Sequence, residues 1–172
     1  MDRISKQHRS WNMSRIKGEN TAPEKRVRSV LHRLGFRFRL HRRDLPGKPD
    51  IVLPRLGTVI FVHGCFWHRH SRCRFAYTPK TRTAFWQEKF AQNVERDRRA
   101  CRELRSRGLK VLVVWECQST NTERLSIRLV RLLKDSSRYA GANETIRLVD
   151  NSAPRTKRAG LVQPILGQGP EA

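Results

Sequence analysis

At 172 residues the chain is long enough for one domain with a full core, and its 37 Lys+Arg against 15 Asp+Glu give a formal net charge of +22. That imbalance costs self-repulsion and suits a polyanionic partner, above all nucleic acid, whose phosphates the predominant arginines match in a planar fork. No apolar run is long enough to span a bilayer and Met1–Lys6 lacks a signal-peptide core, so the expectation is no membrane and a reducing, cytoplasmic setting.

Residues 1–20 are polar and basic, with Trp11 and Met13 among their few large apolar groups. They read as a frayed arm, or as an arm that closes over DNA with Met13 inserted. Thr21-Ala22-Pro23-Glu24 then opens a helix: Thr21 is a good N-cap, Pro23 fits the first turn, and Glu24 completes a capping box. Val27, Val30, Leu31 and Leu34 form one apolar stripe, and Gly35 supplies the stop. On this pattern alone Glu24 is a capping glutamate. Phe36–Leu40 alternates apolar and basic residues as a half-buried strand does.

Leu45-Pro46-Gly47-Lys48-Pro49-Asp50 is an extended entry into a short apolar strand, Ile51–Leu53. A turn at residues 54–57 leads back into Thr58–Val62, giving a hairpin that sets Asp50 near His63. The next segment, His63-Gly64-Cys65-Phe66-Trp67-His68-Arg69-His70-Ser71-Arg72-Cys73, concentrates imidazoles and thiols around an aromatic pair that reads as presented to solvent. A basic loop follows over residues 74–82, then a long helix at about 83–107. Its stripe is Trp86, Phe90, Val94, Cys101 and Leu104; Asp97 shares that stripe and needs a partner. Lys110–Trp115 is a continuous apolar run, expected to be a central strand buried on both faces, and it delivers Glu116 and Cys117 to its end. A last amphipathic helix spans about 122–134, and the pattern then fades into a Pro- and Gly-containing tail. The order α-β-β-β-α-β-α predicts an α/β sandwich on a mixed sheet, with an arm at 1–20, a main domain at 21–135 and a disordered extension at 136–172.

Two chemistries fit the clustered residues. With Cys101 assigned to the core, Cys65, Cys73 and Cys117 with His70 would make a tetrahedral Cys3His zinc site; the alternative is three unrelated thiols. Asp50, His63 and His68 remain beside a basic surface. A carboxylate that holds Mg²⁺ and an imidazole that takes a proton from water suit phosphodiester hydrolysis. A zinc-stabilised DNA-binding module without activity uses the same residues.

The combined strings Leu45–Asp50, His63–His68, Thr81–Trp86, Asn93–Arg99, Arg9–Met13 and Val114–Cys117 resemble the very-short-patch repair (Vsr-type) DNA mismatch endonucleases over about residues 5–135. The resemblance implies a restriction-endonuclease-like three-layer α/β sandwich with one structural Zn²⁺. It also implies Mg²⁺-dependent nicking of one strand 5′ of the thymine in a T:G mismatch, the product of 5-methylcytosine deamination. By the same resemblance Asp50 and the Val62 carbonyl bind Mg²⁺, His68 is the general base, and His63 and Glu24 complete the surrounding shells. Cys65, His70, Cys73 and Cys117 match the zinc ligands. Phe66, Trp67 and Trp86 match an aromatic wedge, Met13 an inserted arm residue, and Asp97 a partner of histidine or DNA. The implied setting is a bacterial cytoplasm and nucleoid. Duplex DNA is the partner, a MutL-like protein is a further one, and the chain acts as a monomer. Three departures stand out: Val62 replaces a threonine of some members, Ser71-Arg72 lengthens the zinc loop, and Phe61-Val62-His63 occupies the usual acid-x-Lys position. A general nuclease of the same fold is the remaining alternative.

Overall fold

The computed structural model describes residues 18–134 together with Ser5, Gln7, His8, Trp11 and Ser14. Met13, most of the arm and the extension at 136–172 lie outside the described residues. Elements follow as α1 (Ala22–Arg33), β1 (Arg39–Leu40), β2 (Ile51–Leu53), β3 (Thr58–His63), α2 (Thr83–Ser106), β4 (Lys110–Trp115) and α3 (Thr122–Lys134). The expected order holds.

Helix α1 starts where local chemistry places it. The Thr21 hydroxyl accepts from the Glu24 N–H, the Glu24 carboxylate accepts from the Thr21 N–H, and Pro23 occupies the first turn. Such caps are worth about 1 kcal/mol. Gly35 takes a left-handed φ of 80° beyond the helix end, where a side chain would be strained.

The sheet runs β1-β2-β3-β4, with β1–β2 and β2–β3 antiparallel and β3–β4 parallel. Its pleat divides the apolar side chains between two faces. Ile51, Leu53, Ile60, Leu112 and Val114 pack with Val27, Val30 and Leu31 of α1 and Leu125, Leu129 and Leu133 of α3. Val52, Val59 and Phe61 point the other way, onto Leu104 of α2 with Leu45 and Leu109. The result is three layers: two helices, a mixed sheet, one helix. Gly47, at φ 70°, lets the 45–48 turn press against α2; a Cβ there would lie 2.6 Å from that of Ala100.

Three expectations need correction. The strand expected over Phe36–Leu40 is hydrogen-bonded only at Arg39–Leu40, although Phe36 and Phe38 do pack inward. β4 is not central. Among the described residues it ends the sheet and pairs with β3 alone, so its apolar run reflects cover on both faces by helices, not neighbours on both edges. The buried residues of α2 are Phe90, Asn93, Ala100 and Leu104, while Trp86, Val94 and Cys101 are only half-buried. The helix packs on the loop that follows β3 as well as on the sheet, so its stripe is not purely apolar.

Candidate active site and metal centre

A cavity of about 770 Å³ opens where the ends of β3 and β4 meet the entries of α1 and β2, and its walls include Glu24, His41, Asp50, Val62, His63 and His68. The hairpin brings Asp50 across from β3, and the Val62 N–H donates to its Oδ2 at 2.7 Å. Its carbonyl accepts from the His41 N–H at 3.2 Å. Asp50 is thereby fixed beside the backbone of Val62. Burial raises its pKa from 3.8 to about 6, with the Val62 hydrogen bond working the other way and the Glu24 charge adding to the rise.

His63 ends β3 only 7% exposed, its ring stacked on His68 with centroids 3.9 Å apart and planes 11° from parallel. Burial, and then the neighbouring His68, lower its pKa from 6.5 to about 4, so it is neutral at physiological pH. His68 is oriented from the other side: its Nδ1 lies 2.5 Å from Oδ2 of Asp97. With the carboxylate accepting from Nδ1–H, Nε2 is left as the acceptor, the arrangement of a general base held by an acid. Asp97 thus has the partner its place on α2 required.

Glu24 is only 2% exposed, and both its oxygens are engaged. Oε1 accepts from the N–H and hydroxyl of Thr21, and Oε2 accepts from the Asn20 N–H at 3.0 Å and from Arg28 at 2.6 Å. Arg28 also reaches Asn20 Oδ1 and His41 Nε2, each within 2.8 Å. Ligand atoms of Glu24, His41 and Asp50 do converge, yet the guanidinium already compensates the charge of Glu24. Glu24 therefore faces the cavity through its field and its hold on residues 20–21. His41 and Arg28 were not anticipated. Arg28 follows Glu24 by one helical turn, a readable pair; His41 arrives through a left-handed φ of 47°, which nothing local announces.

The opposed shifts of Asp50 and His63 predict an unusual pH response in metal-free protein. Between pH 3.8 and about 6 folded Asp50 keeps a proton that the unfolded chain has released, so its contribution to stability grows as pH falls through that window. Folded His63 refuses a proton until about pH 4 whereas the unfolded chain takes one near 6.5, so its contribution declines as pH falls between those values. Each amounts to about 3 kcal/mol, with opposite sign. The two should nearly cancel in the wild type. Relative to wild type, Asp50→Asn should lose about 3 kcal/mol between pH 6.5 and 4, and His63→Gln should gain a similar amount. Denaturant titrations across that range measure both; parallel curves for all three proteins would refute the opposition.

The second cluster lies just along the loop. Ligand atoms of Cys65, His70, Cys73 and Cys117 all fall within 4.8 Å of one another, and Cys101 is not among them. His70 Nδ1 lies 3.6 Å from Cys65 Sγ and 3.3 Å from Cys117 Sγ, while its ring stacks on Trp115 at 4.3 Å. Burial first, and then the adjacent Cys117 and Cys73 thiols, push the Cys65 thiol up to about 12, with a backbone hydrogen bond at Cys117 working the other way. Three crowded sulfurs and one imidazole fit a borderline-soft divalent cation that would hold the sulfurs as thiolates. Cys101 is half-buried on α2 beside the second core cluster, as a packed thiol.

Phe66 and Trp67 fall in the chain between residues of the two clusters. Phe66 and Trp67 are not presented freely: both are half-buried, 5.0 Å apart edge to face, and Phe66 also meets Trp86 and Phe90. Exposed aromatic area is costly without a partner, so the rings cover one another. Asn93, 6% exposed, donates to the Trp67 carbonyl at 3.1 Å and was missed in the sequence. Its signal was a polar residue one turn before Asp97 on a buried stripe. Helix α2 therefore holds Trp67 by its backbone and His68 by its ring, from one face.

A family model described as DNA mismatch endonuclease Vsr matches residues 1–74. Type II nicking enzyme V.XorIIP of Xanthomonas oryzae pv. oryzae is 47% identical over 135 residues, which cover 78% of this chain and 98% of that one. Type II nicking enzyme V.NmeAIP of Neisseria meningitidis serogroup A is 48% identical over 132 residues, covering 74% and 93%. DNA mismatch endonuclease Vsr of Escherichia coli is 48% identical over 118 residues, covering 69% and 75%. A site of this composition, on a chain with relatives so similar over most of its length, identifies the protein as a member of the Vsr family of DNA mismatch endonucleases.

Proposed function

We propose that the protein nicks one strand of duplex DNA on the 5′ side of the thymine in a T:G mismatch, as the first step of repairing deaminated 5-methylcytosine. The observation that carries this reading is the convergence of Asp50, His63 and the Asp97-oriented His68 in one cavity beside the ring cluster. Asp50 and the Val62 carbonyl would hold Mg²⁺, which when bound supplies positive charge against the phosphate and the leaving oxygen. Nε2 of His68 takes the proton of the attacking water, and Asp97 stabilises the imidazolium that results. His63, buried and neutral, backs the ring of His68 and keeps it from turning away. Glu24 holds the 20–21 backbone at the rim and contributes its charge to Asp50. Cys65, His70, Cys73 and Cys117 would hold a structural Zn²⁺.

Phe66, Trp67 and Trp86 supply recognition. A mismatched step is easier to unstack than a paired one, so inserting rings there turns weak pairing into affinity. Met13 is proposed to enter from the arm. No described helix is long and apolar enough to cross a membrane, and the net charge of +22 suits a phosphate backbone. A MutL-like partner remains part of the proposal through the family alone.

The test is a nicking assay on end-labelled duplexes that differ only in the mismatch and its flanking bases. Cleavage of the thymine strand alone, at T:G and only with Mg²⁺, is the expected outcome. Similar rates on matched DNA would indicate a general nuclease. Tight binding without cleavage would indicate a silent zinc module.

A further inference from the structure

The row of rings does not end at the residues assigned to the wedge. Tyr77 lies 5.0 Å from Phe66, Phe66 5.3 Å from Trp86, and Trp86 5.4 Å from Phe85, centroid to centroid. The outer two are the open ones: Tyr77 is 64% exposed and Phe85 44%. Such exposure forgoes the burial that normally places these side chains inside, and a contiguous exposed apolar surface usually marks a binding site.

The surface is also held in place. Arg69 donates to the Tyr77 carbonyl at 2.9 Å and to the Thr78 hydroxyl at 3.0 Å, while its guanidinium sits 4.4 Å over the Phe90 ring. Arg69 stands between His68 and His70, so Tyr77 is tied to both clusters at once. At the other end Arg82 covers Phe85 at 4.7 Å from the ring centroid. Rings with guanidinium groups beside them offer a base a face to stack on and its phosphate a charge to meet.

We propose that Tyr77 and Phe85, with Arg82, form a stacking platform for unpaired nucleotides next to the opened mismatch. The occupant is single-stranded because the faces of paired bases are covered by their neighbours, and only a strand already unstacked can lay bases on open rings. The proposal rests on the reading that the cavity engages DNA, and adds to it the state of the flanking strand.

Fluorescence anisotropy with the full chain, without added Mg²⁺, tests it on three probes. These are a matched duplex, a T:G duplex, and a T:G duplex whose next few nucleotides on one side are unpaired. Wild type should bind the third about tenfold or more tighter than the second, since one stacked base is worth from about fivefold to a hundredfold. Tyr77→Ala/Phe85→Ala should abolish that preference while keeping T:G duplex affinity within about threefold. Ile127→Ala, 69% exposed on α3, should keep the preference. No preference in wild type, or an intact one in the double variant, overturns the platform. An intact preference with no nicking of T:G would overturn the proposed reaction alone; no binding to any probe would overturn both.

Discussion

Asp50→Asn is expected to bind a T:G duplex within about threefold of wild type and to nick it at least about 10³-fold more slowly, a loss of about 4 kcal/mol of transition-state stabilisation. The side chain keeps its shape, and its carbonyl oxygen can still accept from the Val62 N–H that now meets Oδ2 at 2.7 Å. What disappears is the negative charge that would hold Mg²⁺ beside the Val62 carbonyl. Asp50→Ala should be equally slow, and less stable by about 1–3 kcal/mol because it also strands that N–H. The pair of variants thus separates charge from hydrogen bonding. Single-turnover rates at saturating enzyme are the measurement, because they exclude binding and product release. A rate for Asp50→Asn within tenfold of wild type would remove Asp50 from the centre of the reaction.

Asp50 was legible because two local signals agreed: prolines forcing an extended entry, and a hairpin whose return strand ends in His63. The helix start at Thr21 was legible for the same reason, since a capping box lies within four residues. The three thiols and His70 could be grouped by elimination, though their distances could not. What escaped depends on contacts between elements that no local pattern announces. β4 looked central because an apolar run reports what covers its faces and says nothing of its edges. Asn93 was not singled out because its partner is a backbone carbonyl 26 residues away. His41 lines the cavity and meets Arg28 of α1 only because β1 pairs with β2 and brings it there. Phe66 and Trp67 were read as exposed because the rings that cover them arrive from α2 and from the 74–82 loop.

If the Cys3His cluster holds the proposed zinc, Cys117→Ser should lower metal content, stability and activity together. Cys117 lies in the short turn Glu116–Gln118 directly after β4, whereas Cys65, His70 and Cys73 belong to the loop that leaves β3. The site therefore fastens the loop to the sheet, and that loop carries Trp67 and His68. Its backbone includes two non-glycine residues in left-handed conformations, Arg69 at φ 56° and Arg72 at φ 56°, strain that local contacts alone would not sustain. Metal binding that exists only in the folded state is folding free energy, so losing it should remove at least about 3 kcal/mol and lower Tm by about 10 °C or more. Metal analysis should find about one zinc per wild-type chain and well under half of that in the variant. Cys101→Ser separates ligation from thiol chemistry in general: Cys101 packs against the core cluster of Val59, Phe61 and Leu104 and is not among the four converging ligands, so its variant should keep both zinc and activity. Full zinc content in Cys117→Ser would break the proposed ligand set. Zinc loss with a well-folded, fully active loop would show that hydrogen bonds such as Cys65 N–H to Glu116, at 3.3 Å, suffice to hold the loop to β4.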